Sequence, residues 1–109
     1  MAEMLGTFEQ MVLLAVVRLA DEAYGRSVLR EVELAGSRTV AAGAVYATLD
    51  RLEAKGLLRS ALGEGTAERG GRKRRFYRLT ANGSAALNEA KSTMEAMWRG
   101  CRWPLEVSA

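Results

Sequence analysis

The chain has 109 residues, a formal net charge of +3 and 49% hydrophobic residues, which suits one folded domain with a modest core. One cysteine, Cys101, and no histidine exclude an internal disulfide framework and any multi-cysteine or histidine-bearing metal site, and no paired carboxylates recommend an enzyme or a cofactor. The longest apolar run, Met11 to Val17, is too short to span a bilayer, and Glu3 and Glu9 interrupt any signal peptide, so a cytoplasmic protein without membrane contact is expected.

Thr7-Phe-Glu-Gln10 reads as a capping box, with Thr7 at the N-cap and Gln10 reaching back. The helix it opens is expected to run to about Ala20. Phe8, Val12, Ala15 and Leu19 fall on one face, and Met11, Leu13, Leu14, Val16 and Val17 widen the apolar surface beyond a single stripe. Its second cover is either the rest of the monomer or another subunit. After the short connection 21–25, a second helix is expected from Gly25 to Leu34, with Val28, Leu29 and Val32 inward. A turn at 35–38 leads to a third helix, so the pair forms a helix-turn-helix pattern.

The third helix, 41–55, has a slim outer face. At about 100° per residue Val45, Leu49 and Leu52 share one side. Gly43, Ala47, Asp50, Arg51 and Ala54 lie opposite, with Tyr46 at one shoulder and Lys55 near the other. Thr39 is expected to cap its start, and Gly56 to close its end in the left-handed conformation. Small residues leave the helix cylinder bare, as entry into a groove about 12 Å wide requires. An ordinary amphipathic helix with an Ala-rich outside has the same pattern.

Two strands are expected at 57–62 and 72–79, joined by the Gly-rich stretch 63–71. Tyr77 and Leu79 would face the core, with Phe76 and Arg78 on the other side. The return strand opens on four cations, Arg72, Lys73, Arg74 and Arg75. Residues 1–35 carry three cations against six acids and residues 81–109 three against three, whereas residues 36–80 carry ten against four. The positive excess therefore sits with the slim helix and the hairpin, which points to a polyanion; a solvated strand edge is the alternative. Thr80 is expected to cap a last helix from Ala81 to about Arg102. Its residues Leu87, Ala90, Met94, Met97 and Cys101 recur at heptad spacing, a candidate dimerisation seam.

The order helix, helix, slim helix, basic hairpin, helix gives a mainly α fold with a small β-hairpin: a winged helix-turn-helix (1–80) plus a C-terminal dimerisation helix (81–109). The run from Gly43 to Leu57 reads G-x-V-Y-x-x-L-x-R-L-E-x-K-G-L, and Arg74 to Gly83 reads R-R-x-Y-x-L-T-x-x-G. With Leu5-Gly6, Phe8-Glu9, Leu13-Leu14 and Tyr24-Gly25, these motifs resemble the PadR family of transcriptional regulators over about residues 5 to 90, in its subclass with a short single C-terminal helix. Ala42 stands where relatives often carry proline or another residue at the helix start.

The resemblance implies a dimeric repressor of a palindromic operator in double-stranded DNA, with helix 41–55 in the major groove. Thr39, Ala42, Gly43 and Ala47 would lie against DNA, and Asp50 or Arg51 would reach base edges or phosphates. Tyr46 would donate to a phosphate or else pack between helices. The wing, from Arg69 through Arg72 to Arg75, would contact the backbone or minor groove. Some relatives bind flat aromatic compounds at the dimer interface; Met11, Met94, Met97 and the tryptophans Trp98 and Trp103 are candidate walls for such an effector, or simply dimer packing. A winged helix used only for protein–protein contact is the competing reading.

Overall fold

The computed structural model describes residues 4–65, 70–71 and 73–108. The order is α1 (Thr7–Leu19), a 3-10 turn (Ala20–Glu22), α2 (Gly25–Gly36), α3 (Ala42–Ala54), β1 (Leu58–Leu62), β2 (Arg75–Leu79) and α4 (Ala81–Trp98). The core lies where α1, α2 and α3 meet the hairpin. Val12, Leu13, Ala15 and Val16 of α1 meet Val28 and Val32 of α2, Val45, Leu49 and Leu52 of α3, and Leu58 and Tyr77 of the hairpin. The 3.6-residue periodicity of each helix therefore selects the side that is buried.

Four helix termini differ from expectation: the starts of α1 and α3 and the ends of α2 and α4. At α1 the N-cap is Gly6, not Thr7: the Glu9 carboxylate accepts from the Gly6 N–H at 3.2 Å, and the Gln10 amide donates to the Leu5 carbonyl. Glycine has no side chain to complete a capping box, so only the Glu9 half is made, and the same carboxylate also meets Arg51 of α3 and Lys55 at its C-cap. At α3 the N-cap is Ala41, with no side-chain cap; Thr39 is exposed two residues upstream, and the turn is held instead by the Val40 N–H donating to Glu33 of α2 at 3.0 Å. The other end is as expected. Gly56 has φ +78°, Leu57 N–H donates to the Leu52 carbonyl and Gly56 N–H to that of Glu53, the paired bonds of a Schellman motif. Helix α2 runs two residues past Leu34, ending where Ser37 turns left-handed.

The hairpin is antiparallel, with Leu58 opposite Leu79, Ser60 opposite Tyr77 and Leu62 opposite Arg75. Strand β2 starts at Arg75, so Lys73 and Arg74 precede it. Tyr77 is buried as expected. Tyr24 forms a bridge with Phe76, and Tyr77 N–H donates to the Ala23 carbonyl, which adds a rudimentary third strand to the sheet. Phe76 does lie on the face away from Tyr77, but that face is covered by the Tyr24 ring, edge-to-face at 5.7 Å.

Thr80 caps α4 as expected, its hydroxyl accepting from Gly83 N–H at 3.0 Å and donating to the Gly56 carbonyl at 2.6 Å. Gly83 is buried against the Leu57 carbonyl, where a Cβ would collide. The helix stops at Trp98, four residues before the expected Arg102, because Gly100 adopts φ +86°. From Lys91 onward every described residue is exposed, so the distal half of α4 projects from the domain. Among the described residues no helix is long and apolar enough to cross a membrane.

Candidate nucleic-acid interface

Helix α3 presents its slim side outward. Ala42, Gly43, Ala47, Asp50 and Ala54 are exposed, opposite the buried Val45, Leu49 and Leu52. A Cβ added at Gly43 would meet nothing within 4 Å. Packing among the described residues therefore does not demand this glycine, the second residue of α3. Tyr46 borders the stripe and remains 43% exposed, yet its ring lies directly over Gly25, leaving no room there for a Cβ. Tyr46 thus packs α3 on the N-terminus of α2 while one part of it stays open to solvent.

Arg51 does not point along the outer face. Its guanidinium turns back to the Thr48 hydroxyl at 3.3 Å and to Glu9 of α1 at 3.4 Å. Lys55 reaches the same Glu9 carboxylate at 3.0 Å. Burial pushes the Glu9 carboxyl up, but Lys55, the Gly6 N–H and Arg51 outweigh it and hold the group below its usual range. Sequence reading missed this tie because Glu9 and Lys55 are 46 residues apart; an acid in a first turn carries no signal of a partner so distant.

The wing cations divide. Arg69 and Arg72 lie outside the described residues. Lys73 is exposed. Arg74 stacks its guanidinium on the Tyr24 ring, 4.0 Å from the centroid, an arrangement that leaves the edge N–H groups of a guanidinium available to an anion. Arg75 donates to Ser60 at 2.9 Å, and Ser60 in turn to Glu53 of α3 at 2.7 Å, which ties wing to helix. Lys73 and Arg74 therefore stand at the loop end of a hairpin fixed to α2 by Tyr24 and to α3 by Ser60.

The candidate dimerisation and effector residues are only partly brought together. Leu87 packs against the chain's own core and Ala90 is half-buried, whereas Met94 and Met97 are exposed. Cys101 lies beyond the helix end and leaves the heptad seam, its N–H donating to the Trp98 carbonyl. Met94 and Trp98 line a groove of about 480 Å³ with Leu14, Val17 and Leu87. Met11 is not part of it; it lines a separate depression between α1 and α2. Trp103 is well exposed beyond α4.

Residues 13–89, well over half of the chain, match the Transcriptional regulator PadR-like family. The chain belongs to this family. A PadR-like chain is therefore a DNA-binding transcriptional regulator, in a family of regulators rather than enzymes. It is 40% identical over 79 residues to the transcriptional regulator Rv3488 of Mycobacterium tuberculosis, an overlap covering 72% of this chain and 69% of that one. It is also similar in structure to a PadR family transcriptional regulator from Eggerthella lenta, at TM-score 0.65 and 27% identity, covering 84% and 77% of the two chains. A PadR-like transcription factor from Bacteroides fragilis matches at TM-score 0.71 and 26% identity, covering 87% and 86%. The winged-helix architecture is thus that of the PadR-like regulators.

Proposed function

We propose that this protein is a homodimeric repressor that binds a palindromic operator, with the outer face of α3 in the major groove and the basic hairpin along the neighbouring backbone or minor groove. The observation that carries this reading is Gly43, an exposed glycine in the first turn of α3 whose added Cβ would meet nothing within 4 Å among the described residues. Its absent side chain lets the helix cylinder approach a surface closely, and Ala47 continues the same bare stripe one turn on. Lys73 and Arg74 supply phosphate contacts, and Tyr46 donates its hydroxyl to the backbone while its ring holds α2. Residues 1–80 form the DNA-binding unit and 81–109 the dimerisation segment.

The second copy covers the exposed apolar side chains of α1 and α4: Leu14, Val17, Met94, Met97 and Trp98. Two α3 helices about 34 Å apart would then read half-sites one helical turn apart. The groove beside Trp98 gives a flat aromatic effector a stacking wall at that interface. A purely protein-binding winged helix is disfavoured by membership of a regulator family and by the basic wing.

The test is a gel-shift titration of the purified chain against fragments of its own upstream region with excess nonspecific DNA. Saturable binding of two chains to one fragment is expected; binding that competitor DNA abolishes on every fragment contradicts the operator reading.

A further inference from the structure

We propose that Asp50 sets the sequence specificity of the α3 face and that it selects cytosine, by accepting a hydrogen bond from the N4 amino group that cytosine presents in the major groove. The inference rests on the reading above that α3 enters that groove.

Asp50 is the one polar side chain on the bare stripe; Gly43, Ala47 and Ala54 around it carry no functional group. Other acids nearby are engaged. Glu9 accepts from Gly6, Lys55 and Arg51; Asp21 from Arg78; Glu31 from Arg18; Glu33 from Val40 N–H; and Glu53 from Ser60. Asp50 accepts no hydrogen bond and joins no ion pair among the described residues. The adjacent Arg51 is turned away to Thr48 and Glu9, so it does not neutralise the carboxylate.

An unpaired carboxylate facing a polyanion weakens binding to every sequence. That cost is offset only where a base supplies a donor. An ionised carboxylate is acceptor-only. The major groove offers donors at cytosine N4 and adenine N6, but adenine N6 stands beside the N7 acceptor, which repels the second carboxylate oxygen. Cytosine has no such acceptor on the same base.

The experiment is selection from a randomised duplex library with the full-length protein, followed by equilibrium titration, for the wild type, Asp50→Ala and Asp50→Asn. Alanine at an exposed mid-helix site favours the helix, and circular dichroism checks that each variant is folded. The wild type is expected to enrich one cytosine per half-site whose replacement by thymine costs about tenfold in affinity. In Asp50→Ala that preference disappears while binding to random duplex tightens. Asn pairs with adenine N6 and N7, so Asp50→Asn moves the same position to adenine. An Asp50→Ala protein that enriches the wild-type motif with unchanged discrimination overturns the assignment alone. A folded Asp50→Ala protein that loses affinity for random duplex overturns it too. A wild type that enriches no motif overturns the operator reading, and this assignment with it.

Discussion

Replacing Glu9 by glutamine removes one charge from a carboxylate that ties α1 to the end of α3. Its side chain is 13% exposed, against 50% for Arg51 and 37% for Lys55, so both pairs are substantially screened by solvent. Each such pair contributes on the order of 0.5 kcal/mol. Glutamine at this position can still accept from the Gly6 N–H, as in an ordinary capping box, so the cap is largely retained. The expected loss is therefore about 1 kcal/mol, or about 4–8 °C in Tm for a domain of this size. The pH dependence follows from the lowered Glu9 value. A depressed folded-state value stabilises the fold above the unfolded value of 4.5, and that contribution disappears as pH falls through the folded value. Urea denaturation followed by circular dichroism, at pH 7 and again at pH 3, measures it. The variant should be less stable at pH 7, and its deficit should be smaller at pH 3. An equal difference at both values, or none at pH 7, would refute the electrostatic tie.

Three other perturbations separate packing from binding. Gly43→Ala should raise stability by up to about 1 kcal/mol in thermal melts, since the added methyl meets nothing, whereas Gly43→Leu should fold normally yet weaken operator binding more than tenfold in anisotropy titrations. Gly25→Ala should cost about 1–3 kcal/mol, because its methyl displaces the Tyr46 ring, and most of that loss should vanish in a Tyr46→Ala background when the double-mutant cycle is closed. Met94→Asp combined with Met97→Asp should give monomers in sedimentation velocity with an unchanged far-ultraviolet spectrum; a variant that still sediments as a dimer would remove these exposed methionines from the interface.

Helices α1, α2 and α3 were legible because each buries a face of regular period: in α3, Val45, Leu49 and Leu52 inward and Gly43, Ala47 and Asp50 outward needed no more than geometry. Gly56 and Thr80 were legible because left-handed glycine and a Thr cap are local chemistry. The misreadings came where a local signal competed with a tertiary partner. Thr39 has the chemistry of a cap, but the start of α3 is fixed from α2 by Glu33. Thr7 likewise yields to Gly6, whose N–H donates to Glu9, a carboxylate that also meets Lys55. The heptad continues in sequence through Cys101, yet Gly100 ends the helix before it. Arg51 lies near the outer face by angle alone, and only the proximity of Glu9 turns its long side chain back. The stacking of Arg74 on Tyr24 joins residues far apart in the chain, which no spacing rule reaches.

The central claim is that α3 and the basic hairpin together form a DNA interface, and salt dependence tests it most directly. Anisotropy titrations of the wild type and of a protein with Arg72, Lys73, Arg74 and Arg75 all replaced by Ala should be run on one operator duplex and one random duplex over a range of salt. The log–log slope of affinity against salt changes by about 0.9 for each phosphate contact. The account predicts a shallower slope and weaker binding for the variant on both duplexes, with its fold and dimerisation intact. An unchanged slope and affinity on both would contradict it.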